Sequence, residues 1–102
     1  MICVLATIET VTGRRDDLLA AFRELVPKVL AEKGCIEYAP MIDVPSGLDA
    51  QPPVRPNVVT MVEKWESLAA LEAHLGASHM AAFLRQIEPM RLSMSLQILE
   101  SA

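Results

Sequence analysis

Residues 58–84 read VVTMVEKWESLAALEAHLGASHMAAFL and hold the single Trp and both His of the chain. Val58 to Glu66 alternates as a strand, with Val59, Met61, Glu63 and Trp65 on one of its faces. At Ser67 the spacing of apolar residues changes from two to three and four. Ser67 is placed to cap a short helix with Leu68, Leu71 and Leu75 on one side, ended by Gly76. Ser78 is placed to cap a second helix with Met80, Phe83, Leu84 and Ile87 on one side, closed by Pro89. A strand followed by a broken helix is half of a repeated unit, and the flanks supply the rest.

On the amino-terminal side, Ile2 to Val11 is rich in Val, Ile and Thr, and both of its alternating faces are largely apolar. A strand of that kind needs helices on one side and a further surface, such as a second subunit, on the other. Thr12-Gly13 ends it and opens a helix with Asp16 and Asp17 in the first turn, where the helix dipole favours negative charge. Leu18, Phe22, Leu25, Val26 and Val29 form the helix's apolar stripe. Pro27 predicts a kink or a break into two pieces, because it removes a backbone donor. Gly34 supplies a left-handed cap that turns the chain into a second strand, Cys35 to Val44. Asp43 to Asn57 carries five of the seven prolines and reads as a long surface loop, either a lid or partner contact or a plain connection.

On the carboxy-terminal side, Leu92 to Glu100 alternates Leu92, Met94, Leu96 and Ile98 against Ser93, Ser95 and Gln97. It predicts a strand with one face buried and the other in water. The order strand, helix, strand, strand, broken helix, strand is the split β-α-β, ferredoxin-like arrangement, an α+β fold. The expectation is one domain over residues 1–102, a four-stranded antiparallel sheet with helices on one face.

At 102 residues the chain can bury roughly 60 to 70% of its unfolded surface in a single core. Apolar residues make up 52% and aromatics only 4%, so that core is built from aliphatic side chains and Met. The net charge of −4, with no basic cluster beyond Arg14-Arg15, argues against nucleic-acid binding. No apolar run approaches the ~18 residues of a membrane span, and the first strand lacks the charged start and cleavage site of a signal peptide. Cys3 and Cys35, far apart and without metal spacing, read as buried, reduced thiols of a cytoplasmic protein.

With the elements in place, the sequence resembles the antibiotic biosynthesis monooxygenase (ABM) family, which includes small quinol monooxygenases. The resemblance covers almost the whole chain. It rests on Gly34-Cys35-Ile36-Glu37-Tyr38 after the first helix, Glu63-Lys64-Trp65, then Leu71, His74-Leu75, Ser78-His79 and Phe83-Leu84. It implies a homodimer that packs sheet against sheet, a dimeric α+β barrel, with a pocket in each subunit between sheet and helices. It also implies oxidation of a small quinol or polycyclic phenol by molecular oxygen with no bound metal or flavin, although other members have no established activity. The haem-degrading branch of the same fold uses an Asn, a Trp and a haem-ligating His where this chain has Ala6, His74 and Leu84, which argues against haem degradation.

Oxygen reacts slowly with closed-shell organic molecules, so an enzyme without a cofactor must turn its substrate into a good electron donor by taking a proton from it. That requires a base, a dry pocket and hydrogen-bond donors. His74 is the candidate base. It lies about 80° from the centre of the Leu68, Leu71, Leu75 stripe, at the shoulder of the buried face, where a histidine bonded to nearby backbone is the competing reading. Trp65 offers either an aromatic wall and indole donor or plain core filling. Glu63, on the same face, orients His74, meets a cation at the pocket edge, or forms an ion pair at the sheet edge. Tyr38 and Phe83 line the pocket or fill core, and Met61 and Met80 are the methionines placed to touch a ligand. His79 stands among the substrate-binding candidates but follows Ser78 at a helix start, which favours solvent. Five residues from His74 with Gly76 between, it shares no helical face with it, and with no third ligand evident no metal site is expected. The functional expectation is a monooxygenase, and its rival is a noncatalytic module that holds an apolar small molecule.

Overall fold

The computed structural model describes all residues 1–102. Its elements are β1 (Ile2–Thr10), α1 (Arg15–Leu30), β2 (Cys35–Met41), β3 (Val58–Trp65), α2 (Leu68–Leu75), α3 (Ser78–Ile87), a 3-10 turn (Glu88–Met90) and β4 (Arg91–Leu99). The strands form one sheet in the order β2-β3-β1-β4. Each adjacent pair is antiparallel, so β3 is inserted between the parallel β1 and β2 of the first β-α-β unit. This is the ferredoxin-like α+β topology expected from the sequence.

Register explains which face is the core. Val4 stands opposite Glu63 and Ile98, Ala6 opposite Met61 and Leu96, and Ile8 opposite Val59 and Met94. Directly opposed residues share a face, and the helices lie on this one. Phe22, Leu25 and Val29 of α1 and Met80, Phe83 and Ile87 of α3 pack with Val4, Ile8, Val59 and Trp65 into one cluster of 17 buried residues.

Several local expectations change. Helix α1 runs unbroken through Pro27. Pro27 is exposed, so the carbonyl it cannot serve faces water, and the helix survives the missing bond. Strand β2 ends at Met41, three residues short of the expected Val44. Ser67 does cap α2, accepting a hydrogen bond from the Ala70 N–H, but α3 begins after Ala77 and Ser78 makes no cap bond. The largest change is in β4. Met94, Leu96 and Ile98 point to the helix side as the alternation requires, yet they remain 38%, 42% and 45% exposed, because β4 is an edge strand beyond the reach of the helices.

Residues 42–57 form the long loop. At its neck the Arg55 guanidinium donates two hydrogen bonds to Asp43, at 2.8 and 2.9 Å, and holds the Asp43 carboxyl down at about 2. Arg15 of α1 reaches the Arg55 carbonyl at 3.2 Å, so the base of the loop is tied to the start of the helix. No helix is long and apolar enough to cross a membrane.

Candidate functional site

The alternation of β3 raises Met61, Glu63 and Trp65 to the helix side, where all three are buried. Glu63 is the costly one, since an ionised carboxylate out of water is unfavourable unless it is bonded. Its Oε1 accepts the indole N–H of Trp65 at 3.0 Å. Burial pushes the Glu63 carboxyl above its ordinary range. The Trp65 bond and nearby His74 pull it back in part, and Glu32 adds to the rise. Tyr38 of β2 pairs directly across from Glu63. Burial, followed by the charge of Glu63, raises the Tyr38 phenol far above its usual value. Tyr38 is thereby a hydrogen-bond donor across the physiological range.

Helix α2 brings the imidazole. Its buried residues are Leu71 and His74, while Leu68 and Leu75 are each 49% exposed. His74 therefore occupies the centre of the buried face and not its shoulder. Its ring lies 4.6 Å from the Trp65 ring and 5.4 Å from Tyr38, centroid to centroid. Its Nδ1 is 2.8 Å from Glu32 Oε2, and the same oxygen is 2.8 Å from His79 Nε2.

Glu32 arrives there through the turn that follows α1. Its N–H donates to the Val29 carbonyl at 2.9 Å and its carbonyl accepts from Cys35 N–H at 3.3 Å. Gly34 has φ +85°, and a Cβ built on it would stand 2.6 Å from the Ala70 Cβ of α2. Only glycine allows the turn to lie so close to α2, and that approach sets Glu32 beside His74.

A cavity of about 70 Å³ opens between sheet and helices. Tyr38, Met61, Glu63, His74, Met80 and Phe83 line it, together with Ala6, Ile8 and Phe22. Leu75, Leu84, Met94 and Leu96 form its mouth, and Leu75 and the two β4 residues are exposed. No buried polar side-chain atom in the protein lacks a partner. His74 Nε2, the second Glu63 oxygen and the Tyr38 hydroxyl have no partner within the chain, so none of the three is fully buried, and all three residues line the cavity. An imidazole, a carboxyl and a phenol thus line an otherwise apolar space, a donor and acceptor set suited to the oxygens of a small ring compound.

Six of the eight sequence candidates therefore meet at one cavity. Trp65 does not. It is fully buried and spends its indole N–H on Glu63, so it backs His74 and Glu63 rather than offering a wall or donor to a ligand. Glu63 forms no ion pair at the sheet edge and does not bond His74, which is bonded to Glu32 instead. His79 is not part of the cavity lining. It keeps 26% side-chain exposure, bonded to Glu32 beside a separate cleft with Glu24 and Lys28 of α1, and so is only partly open to solvent.

Glu32 is the residue that sequence reasoning missed. It lies in a turn with no periodicity, 42 and 47 positions from its two partners. The expectation that the two imidazoles stay apart and lack a third ligand is also corrected. Through Glu32, one ligand atom from each of the three residues falls within 4.8 Å of the others, a donor set of the kind that holds divalent transition metals.

A ferredoxin-like sheet enclosing an imidazole, a carboxyl and a phenol describes a class of small α+β proteins with a site between sheet and helices. The family profile of antibiotic biosynthesis monooxygenases matches residues 1–86, and the chain belongs to that family. It is 41% identical over 102 residues to the probable quinol monooxygenase YgiN of Escherichia coli (strain K12), covering 98% of this chain and 97% of that protein. Among solved structures, PA3566 from Pseudomonas aeruginosa superposes with a TM-score of 0.81 at 27% identity, over 99% of this chain and 93% of that one. Rv0793 from Mycobacterium tuberculosis shares the fold with a TM-score of 0.80 at 19% identity, over 99% of this chain and 94% of that one.

Proposed function

We propose that this single-domain protein is a cofactor-independent monooxygenase that oxidises a small quinol with molecular oxygen, acting as a homodimer in the cytoplasm. The observation that carries the reading is that His74, Glu63 and Tyr38 line one apolar cavity, in a chain 41% identical to a probable quinol monooxygenase. His74 takes the proton of one quinol hydroxyl, which makes the ring an electron donor to oxygen. Tyr38 donates to the resulting oxyanion, and the Glu63 carboxyl, raised by burial, holds the second ring oxygen. One atom of O₂ enters the ring and the other leaves as water with two hydrogens of the quinol, giving a hydroxyquinone.

The space of about 70 Å³ is well under the ~300 Å³ of a typical small-molecule pocket, which favours a small quinol over a polycyclic phenol. The apolar stripe of β4 at the cavity mouth supports the dimer, since a second copy would bury it and close the site. Aerobic and anaerobic incubation with a panel of hydroquinones tests the reading. Oxygen-dependent turnover that His74→Ala lowers by about 10²-fold or more is expected. No turnover above the protein-free rate on any hydroquinone, with ligand binding retained, would leave the protein a binding module.

A further inference from the structure

We propose that Glu32 is the positioning residue of this site. Held from the solvent side by His79, it fixes His74 in the tautomer with hydrogen on Nδ1 and a lone pair on Nε2 facing the cavity. The inference deepens the monooxygenase reading and rests on it for its catalytic consequence, though not for the tautomer itself. One oxygen, Glu32 Oε2, is 2.8 Å from both His74 Nδ1 and His79 Nε2. An ionised carboxylate offers only lone pairs. At that distance both facing nitrogens must therefore carry hydrogen, because a nitrogen lone pair there would be repelled.

A neutral imidazole has a single N–H. With that hydrogen on Nδ1, His74 is left with an acceptor on the nitrogen that reaches the cavity, which is the form a general base needs. When Nε2 takes a proton from the substrate, the ring becomes a cation with Glu32 already in contact, and no group has to move. The distances favour hydrogen bonds over metal ligation, since bonds of ~2.0–2.1 Å to a tetrahedral ion hold ligand atoms well over 3 Å apart.

The hub is built to be rigid. Glu32 comes from the turn after α1, His74 from α2 and His79 from α3, so three elements must keep their places for the bonds to form. The other titratable groups around His74 are Glu63 on β3 and Tyr38 on β2. Around His79 they are Glu24 and Lys28 on α1. None of these hydrogen-bonds either ring; Glu32 alone does, through one oxygen.

Because the chain has two histidines, imidazole ¹⁵N–¹H correlation spectra of the intact protein, assigned with His79→Gln, read each tautomer directly and without substrate. The wild type is expected to show neutral His74 with hydrogen on Nδ1. Glu32→Gln is expected to lose that single tautomer and to lower kcat at least ~10²-fold while KM changes little. His79→Ala, which frees the carboxylate without removing it, is expected to have the same effect in milder form. A residue with a purely structural role would lower Tm and leave the tautomer and the split between kcat and KM untouched. Hydrogen on His74 Nε2 in the wild type, or an unchanged Nδ1–H in Glu32→Gln, overturns the proposal. Stoichiometric zinc binding that shifts both rings does so as well, by making the cluster a metal centre. If the tautomer behaves as expected and no quinol is oxidised, the monooxygenase reading alone fails.

Discussion

Strands β3 and β4 carry the same pattern and meet opposite fates. On β3, Val59, Met61, Glu63 and Trp65 are all under 5% exposed, and one of them is a carboxylate; on β4, the purely apolar Leu92, Met94, Leu96 and Ile98 are 38% to 62% exposed. Alternation states which residues share a face. It does not state what covers that face. The helices lie over β2 and β3 and their side chains reach those of β1, so even Glu63 is drawn under them and must find a partner in Trp65. Strand β4 lies at the edge, and its hydrophobic side becomes the lip of the cavity. A functional site arises between the two, where the covered region gives way to the uncovered one.

Truncation should separate the two strands most strongly. Trp65→Ala removes a fully buried ring and leaves the Glu63 carboxyl without its donor, so denaturant unfolding should show a loss of about 3–5 kcal/mol. Leu96→Ala, measured where the chain is monomeric, should cost under about 1 kcal/mol. Equal losses would mean that β4 is covered within one chain after all.

A charge on the lip addresses the proposed second copy. Leu96→Arg should leave the circular dichroism spectrum intact and shift sedimentation at micromolar concentration from dimer to monomer. A wild type that sediments as a monomer would remove the reason given for the apolar edge.

The smallest expected effect concerns Glu63. Burial raises its carboxyl above the ordinary 4.5, so between 4.5 and the raised value the folded chain holds a proton that the unfolded chain has released. The stabilising contribution is therefore complete below 4.5 and is lost as pH rises through the raised value. Glu63→Gln keeps an acceptor for Trp65 and cannot titrate. In thermal melts from about pH 4 to 8, the wild type should lose Tm relative to the variant as pH increases. A constant difference across that range would show that Glu63 titrates normally.

Much of the site was legible because it lies on regular elements. Period-two spacing put Met61 and Glu63 on one face of β3, and helical spacing put Met80 and Phe83 on one face of α3. Tyr38 was found through the Gly-Cys-Ile-Glu-Tyr run. His74 was singled out as the candidate base, but its placement on α2 was misjudged, because three leucines were read as the buried stripe when only Leu71 lies beneath the surface. A short helix under an apolar sheet can bury any residue whose polar atoms are satisfied, and His74 satisfies one of its nitrogens through Glu32. Pro27 was misread for a related reason, since its cost depends on whether the orphaned carbonyl faces core or water.

The sequence by itself determined the order of elements, the ferredoxin-like topology, the family and six of the thirteen residues that line the cavity. These follow from periodicity, caps and short motifs, all of which are local along the chain. The tertiary structure alone decided that Trp65 is sealed behind Glu63, that the hydrophobic side of β4 stays open, and that one oxygen of Glu32 bonds both imidazoles. Those facts include bonds between residues more than 40 positions apart. They depend on where the helices end over the sheet and on how closely the turn at Gly34 can approach α2, and neither is encoded in any single stretch.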